Sequence, residues 1–262
     1  MEAFLIYALV GSIAGTIGGL MGIGGGLIIV PALAWIFRAH GFAEASIMHL
    51  AIGTSLATII PTSISSMWTH HQHGAVRWPV FFRLLPGFAM GALIGGMTAG
   101  AIASGILRLC FGVFLSLVGA HLAFGSNPAP HRNLPGTSAL FLVGTAIGTL
   151  SALVGIGGGN LTVPFLLYCN VSIRQAVATG AAAGLPIATI GTATFVVAGQ
   201  DVPDLPAWSS GYCYGPAWLG IAATSVLFAP LGAKLAHRIP TPALKRGFGV
   251  VLIIVGLRML LR

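Results

Sequence analysis

The chain carries nearly the same glycine-rich decapeptide twice, as "GIGGGLIIVP" at 22–31 and "GIGGGNLTVP" at 155–164. Glycine costs about 1 kcal/mol relative to alanine in a helix interior. Pro31 and Pro164 follow the last glycine of each copy by five residues, and each removes a backbone donor. Because both copies stand inside long apolar runs, the motif predicts two helices that break at equivalent points.

The scarcity of charge places these apolar runs in lipid. Of the 262 residues, 56% are hydrophobic and only 6% are charged, whereas a soluble domain carries about a quarter charged residues. The runs are long and do not alternate, which predicts an all-α integral membrane protein and not a β-barrel. The predicted apolar segments are 3–37, 45–68, 79–102, 106–124, 137–169, 172–199, 212–236 and 243–261.

Further matches between the two halves indicate a duplication. Residues 107–121 resemble 244–258, and 45–57 resemble 171–183 more weakly. The matches occur in the same order as the glycine motifs, which chance similarity between apolar helices does not require. The predicted units are a first repeat (1–124), a linker (125–136) and a second repeat (137–262).

The loop charges predict that the two repeats have opposite orientations. Arg77 and Arg83 lie around the loop after the second segment, whereas the equivalent loop of the second half holds Asp201 and Asp204. Basic loops stay in the cytoplasm, and inverted repeats are a common transporter plan. Each repeat then contains one glycine-broken helical hairpin plus three transmembrane helices. The alternative is a single tilted span at each glycine motif, with parallel repeats. The inverted arrangement puts 69–78, 125–136 and 237–243 in the cytoplasm and both termini outside.

A helix that starts after each glycine run, near Leu27 or Asn160, points free N–H groups and a positive dipole end at the break. Two such ends from inverted repeats would converge near the membrane midplane and attract an anion. The alternative is that the glycines only permit close helix packing. Neither copy has the GK[ST] of a P-loop or the third glycine of GxGxxG, so a nucleotide site is disfavoured.

The chain resembles the TauE/SafE sulfite exporter family. The resemblance rests on the paired glycine motifs, "AIGTSL" at 51–56 and "APLGAKLAHRI" at 229–239. It implies a secondary transporter, with export of a small sulfur-containing anion such as sulfite, sulfoacetate or thiosulfate, in the inner (plasma) membrane of a bacterium. The second half has "TGAA" (179–182) where the first has "GTSL" (53–56), so the substrate site is expected to be lopsided.

Hydroxyl, amide and histidine side chains are the remaining candidates for substrate binding and proton transfer. Thr54, Ser55 and Thr58 could bind oxyanion oxygens, or could bond back to their own helix. Asn160 is either a ligand or an N-cap. His49 is a candidate proton carrier, with interhelical hydrogen bonding as the alternative. The predicted substrate-binding residues are Gly24, Gly25, Gly26, Thr54, Ser55, Gly157, Gly158, Gly159, Asn160 and Thr179.

Other functional classes find little support. No catalytic residues, cofactor or metal site are predicted; the "HHQH" at 70–73 has no carboxylate or cysteine nearby. The basic residues are scattered, which argues against nucleic acid. The expected partners are a small anion and the lipid bilayer, and the sequence leaves open whether the chain forms a homodimer. The alternatives are a passive anion channel and a membrane-embedded enzyme or assembly factor.

Overall fold

The computed structural model describes residues 2–21, 24–125, 133–235 and 241–261. Predictions that concern 22–23, most of the linker at 125–136, or 237–240 lie outside the described residues. The described elements are α1 (Glu2–Met21), α2 (Gly26–Ala39), α3 (Glu44–Gln72), α4 (Trp78–Ala101), α5 (Ser104–Phe124), α6 (Thr137–Val154), α7 (Gly159–Tyr168), α8 (Ile173–Ala198), β1 (Ser209–Ser210), β2 (Cys213–Tyr214), α9 (Gly215–Leu235) and α10 (Thr241–Leu261).

The helices are of the length and composition that a membrane requires. Six of them within the described ranges are long and apolar enough to span a bilayer: α3, α4, α5, α6, α8 and most of α9. Shorter apolar helices cover Phe4–Leu20 of α1 and the whole of α2. The prediction of an all-α integral membrane protein is confirmed.

Both predicted helix breaks are present. The first apolar segment divides into α1 and α2, and the fifth divides into α6 and α7. α2 begins at Gly26 and α7 at Gly159, each one residue before the predicted start. The prolines do not end these helices: Pro31 and Pro164 lie inside α2 and α7. The glycines therefore make the break, and the prolines weaken the first turns after it.

Helices of the two halves pack against each other in a reciprocal pattern. The first helix of each half lies along the helix of the third apolar segment of the other half, so α1 packs on α9 and α6 packs on α4. Glycines allow the close approach: a β-carbon on Gly15 would lie 2.7 Å from the Ser225 Cα atom, and one on Gly144 would lie 2.7 Å from the Leu84 carbonyl oxygen. Small residues of this kind are the usual contacts between membrane helices.

Helices that the predicted duplication makes equivalent run antiparallel where they meet. On α3 and α8, Gly53 lies against Phe195 near one end and Ser63 against Gly184 near the other. α5 and α10 follow the same rule, because the earlier part of α5 contacts the later part of α10. Buried residues of α3 contribute to the hydrophobic core.

One predicted boundary is wrong. The apolar segment 212–236 was expected to be helical from its start, but residues 213–214 pair with 209–210 in a short antiparallel hairpin, and α9 begins at Gly215. Gly211 sits in the hairpin with φ of +53°, a conformation that a continuing helix does not contain. The hairpin folds inwards, since Tyr212 is 7% exposed.

Candidate functional site

The two glycine breaks touch each other inside the protein. A β-carbon added at Gly24 would lie 3.3 Å from the Gly157 Cα atom, and one added at Gly26 would lie 2.6 Å from the Gly155 carbonyl oxygen. Gly24 and Gly155 have φ values of +72° and +76°, which residues other than glycine rarely adopt. The repeated motif therefore builds one backbone-to-backbone contact between the halves.

Each break leaves the start of a short helix beside this contact. The hydrogen bonds at the start of α2 have Ile28 and Ile29 as donors, both to the Gly25 carbonyl oxygen at 3.0 and 3.1 Å. The N–H groups of the first helical residues, Gly26 and Leu27, precede that ladder. α7 is built the same way from the Gly158 carbonyl oxygen. Neither helix has a side-chain N-cap, so both ends offer backbone donors and partial positive charge.

A small cavity of about 10 Å³ lies at this junction, which we call the central cavity. Its walls include glycines from both breaks and hydroxyl side chains from the second half of α3. A volume of this size holds about one water molecule, so a larger anion fits only if the walls separate. The lining residues are Gly18, Gly19, Gly24, Thr62, Ser63, Ser66, Gly157, Gly159, Gly180, Ala181 and Gly184.

Ser66 is the functional candidate that the sequence reasoning missed. Its side chain is 5% exposed, its hydroxyl oxygen has no hydrogen-bond partner among the described residues, and it lines the central cavity. A buried hydroxyl without a partner is unfavourable unless something else binds it. The signal was present in the sequence, because Ser55, Thr58, Thr62 and Ser66 recur at helical spacing along α3.

The predicted hydroxyls of the first half are engaged with the protein itself. Ser55 donates to the Gly155 carbonyl oxygen at 2.8 Å and so braces the second glycine break. Thr58 donates to the carbonyl oxygen of Ser55 at 2.7 Å, the local back-bonding that was the alternative for this cluster. Thr54 accepts from the Tyr214 N–H at 2.9 Å.

Thr179 in the second half makes the counterpart of the Thr54 contact. Its hydroxyl oxygen accepts from the Arg77 N–H at 3.1 Å. Arg77 precedes α4 just as Tyr214 precedes α9. Both threonines are fully buried and do not line the central cavity. They hold the start of a spanning helix that belongs to the other half.

The predicted glycines divide between lining and packing. Gly24, Gly157 and Gly159 line the central cavity. Gly25, Gly26 and Gly158 pack beside it; a β-carbon on Gly158, for example, would lie 2.6 Å from the Ile187 Cδ1 atom. Asn160 is half-buried at the start of α7, next to Gly159.

His49 lies far from the central cavity, near the start of α3. Its Nε2 atom is 3.0 Å from the Ile102 carbonyl oxygen and 3.2 Å from that of Ala99, so this nitrogen donates to the end of α4. The imidazole also stacks on Tyr212, with ring centroids 4.6 Å apart. These contacts match the interhelical hydrogen bonding that was the alternative to a proton carrier.

The Tyr212 and Cys213 side chains, at the end of the α8–α9 loop, are shielded from water by their packing within the protein. Burial raises the pKa of the Cys213 thiol to about 11 and also raises the pKa of the Tyr212 hydroxyl. The charged form of a thiol or phenol is disfavoured when water is excluded. The end of the loop at Tyr212 is thus buried against α3 and α8, whereas its earlier part is exposed, with Trp208 85% exposed.

No metal-binding cluster competes with this site in the part of the chain that the structure describes. No group of three or more His, Cys, Asp and Glu side chains there is placed to hold a metal ion. What the fold presents is a set of spanning helices and two broken helices that meet at a small polar cavity, an arrangement found in membrane transporters.

Comparison with known protein families also indicates a membrane transporter. A profile described as "Sulfite exporter TauE/SafE" matches residues 7–259. The chain therefore belongs to the TauE/SafE family, and it is a membrane transporter, not an enzyme.

Curated relatives match along most of their length. A "Probable membrane transporter protein" of Haemophilus influenzae is 36% identical over 98% of both chains. One of Methanocaldococcus jannaschii is 28% identical over 98% of this chain and 95% of its own. A "Probable inner membrane transporter protein TsaS" of Comamonas testosteroni is 28% identical over 79% of this chain and 82% of its own.

Proposed function

We propose that the chain is a secondary transporter that exports a small sulfur-containing anion, such as sulfite, sulfoacetate or thiosulfate, across a bacterial inner membrane. The family description supports the substrate class, and the name of the Comamonas relative supports the membrane. The observation that carries the proposal is the meeting of the two glycine breaks and the start of α7 at one cavity with an unpartnered hydroxyl.

The chemistry of the central cavity suits an oxyanion. The Gly159 N–H at the start of α7 can donate to anion oxygens, and so can the Ser63 and Ser66 hydroxyls. The acidic residues lie at helix ends or in loops: Glu2 and Glu44 begin α1 and α3, and Asp201 and Asp204 follow α8. The cavity therefore has donors and partial positive charge without a full charge, which permits an anion to bind and also to leave.

Inverted repeats would bring the two helix starts to the cavity from opposite sides. The antiparallel contacts of α3 with α8 and of α5 with α10 support that arrangement, since equivalent helices of parallel repeats would run the same way. Each repeat then has one glycine-broken hairpin and three transmembrane helices. The loop between α3 and α4 faces the cytoplasm, and the loop between α8 and α9 faces outside.

The size of the central cavity supports alternating access over a passive channel. With about 10 Å³ it admits no continuous water column. The two glycine segments must separate before an anion larger than water enters. Because the segments belong to different halves, a relative movement of the halves opens the cavity to one side at a time.

Exchange of labelled anion tests the proposal. Proteoliposomes loaded with unlabelled sulfite should accumulate external ³⁵S-sulfite above its equilibrium level, because a carrier exchanges substrate across the membrane. Thiosulfate and sulfoacetate should compete for uptake, whereas acetate should not. Flux that rises linearly with concentration and shows no accumulation would indicate a channel and contradict the proposal.

The substitution Ser66→Ala tests whether the transported anion binds in the central cavity. Ser66 has no hydrogen bond to lose within the described structure, so Ser66→Ala should leave the melting temperature unchanged. The loss of one donor to the anion should weaken binding about tenfold. Ser116→Ala on α5, whose hydroxyl bonds to the Gly112 carbonyl oxygen, is the matched control. If the Ser66→Ala and Ser116→Ala variants bound the anion with equal affinity, Ser66 would be excluded from the anion site.

A further inference from the structure

A second, larger cavity lies at the end of the molecule where α3 begins. Its volume is about 410 Å³, and its walls come from the ends of four helices: α2, α3, α5 and α10. Arg38, Arg108 and Arg258 all line it, and we call it the arginine vestibule. These residues are 70 and 150 positions apart in the chain and meet only in the fold.

Two of the three guanidinium groups are available to a ligand. Arg38 is engaged, because its Nε and Nη2 atoms donate to the two Glu44 carboxylate oxygens at 2.6 and 2.8 Å. Arg108 is half-buried, and its buried Nε has no partner among the described residues. Arg258 lies over the Trp35 ring, 5.6 Å from the centroid, which leaves its N–H edge open.

The start of α5 adds to the positive potential of the vestibule. Ser104 and Gly105 begin this 21-residue helix and line the cavity. The Ser104 hydroxyl already accepts from the Met48 N–H at 3.2 Å, so the helix start is fixed against α3. With three arginines against one glutamate and a helix N-terminus directed at it, the vestibule carries a net positive charge.

Membrane orientation does not explain these arginines. The other described Lys and Arg residues lie towards the opposite end, where α3 ends and where basic loops mark the cytoplasmic side. The acidic residues of the chain lie at the vestibule end, since Glu2 and Glu44 begin helices there and Asp201 and Asp204 follow one. Three arginines at this end therefore need another explanation. The basic residues of the opposite end are Arg77, Arg83, Arg174, Lys234, Lys245 and Arg246.

We propose that the arginine vestibule is a second anion site, separate from the central cavity, that binds a tetrahedral oxyanion through Arg108 and Arg258. The occupant is either a free sulfur oxyanion or the phosphate of an anionic lipid, because both present the same oxygen acceptors to a guanidinium fork. Glu44 holds Arg38 out of the site and so limits its affinity. At about 410 Å³, the vestibule accepts the ion with part of its hydration shell.

Equilibrium dialysis with ³⁵S-sulfate on the purified chain in neutral detergent tests the site. Arg108→Gln should weaken vestibule binding about tenfold, because it removes a charge-assisted donor. Glu44→Gln should tighten binding, because it releases the Arg38 fork. Arg174→Gln, an exposed arginine at the opposite end, is the matched control and should bind as the unmodified chain does. Equal binding by Arg108→Gln and Arg174→Gln would overturn the proposal.

A second experiment, in lipid membranes of two compositions, identifies which anion occupies the vestibule. The dialysis is repeated in nanodiscs of phosphatidylcholine alone and of phosphatidylcholine with phosphatidylglycerol. If phosphatidylglycerol displaces the Arg108-dependent sulfate, the site takes a lipid phosphate; if it does not, the site takes a free anion. Loss of Arg108 dependence in both membranes would contradict the site.

The result of the sulfate dialysis is independent of the result of the transport assay. Ser66→Ala should leave the Arg108-dependent sulfate in place, since Ser66 lines the other cavity. Failure of the proteoliposome exchange with persistent Arg108-dependent binding would remove the transport proposal and keep the vestibule. The reverse result would keep transport and remove the vestibule.

Discussion

The Thr54 hydroxyl accepts a 2.9 Å hydrogen bond from the Tyr214 N–H, at the residue before α9. Thr179 accepts from Arg77, the residue before α4, at 3.1 Å. Each threonine belongs to one half of the chain and holds the start of a helix in the other half. The two bonds therefore connect the halves reciprocally, on either side of the glycine contact.

These bonds predict a stability difference between two substitutions of Thr54. Thr54→Val keeps the shape and leaves the Tyr214 N–H without its acceptor, which costs about 1–3 kcal/mol for a buried group. Thr54→Ser keeps the oxygen and should cost less. Thermal unfolding in detergent measures the difference, and equal melting temperatures would show that the bond contributes nothing. The same comparison applies to Thr179.

The glycine contact predicts that even alanine is harmful at Gly26. Its β-carbon would lie 2.6 Å from the Gly155 carbonyl oxygen, so the two breaks must move apart. Gly26→Ala should lower the melting temperature and reduce transport. Gly247→Ala on α10 is the control, because nothing lies within 4 Å of its added β-carbon and alanine favours a helix. A Gly26→Ala protein as stable as the control would contradict the close contact.

The proposed topology predicts that Gln72→Cys and Pro203→Cys label from opposite sides of the membrane. Both positions are exposed; one ends α3 and the other follows α8. The background must lack Cys110, which is half-buried. Cys213 should label slowly even when retained, because burial raises its pKa to about 11 and leaves it a neutral thiol at pH 7.5. Labelling of both introduced cysteines by an impermeant maleimide from one side would exclude inverted repeats.

If His49 carries a proton during transport, its removal should flatten the pH dependence of flux. His49→Gln retains an N–H for the Ile102 carbonyl oxygen, so the helix contact should survive. Histidine changes charge between about pH 5 and 8, and flux of thiosulfate, which stays a dianion over that range, should be constant in the variant. An unchanged pH profile in a folded His49→Gln protein would restrict His49 to its hydrogen-bonding role.

The sequence predicted the helix breaks because their cause is local. Glycines at the break disfavour a helix wherever they stand, so the starts of α2 and α7 were placed within one residue. The roles of hydroxyls were harder to predict. The partner of Thr54 is 160 residues away, and only the fold shows that the threonine is occupied. Ser66 lies outside "AIGTSL", the segment on which the prediction rested, although the hydroxyl spacing continues along α3.

The hairpin before α9 and the arginine vestibule were not predictable for a related reason. Tyr212 and Cys213 read as the start of an apolar helix, and their burial against α3 and α8 depends on long-range packing. Arg38, Arg108 and Arg258 are isolated in the sequence, at the ends of three different helices. Nothing local indicates that these ends meet.

Crystals grown with selenite, a heavier analogue of sulfite, test the central claim most directly, because the selenium position appears in an anomalous difference map. The account predicts a peak between Gly24 and Gly157, within hydrogen-bond distance of the Ser66 hydroxyl and of the N–H groups that begin α7. A peak confined to the arginine vestibule, or none at selenite concentrations that stabilise the protein, would contradict an anion site between the two helix starts.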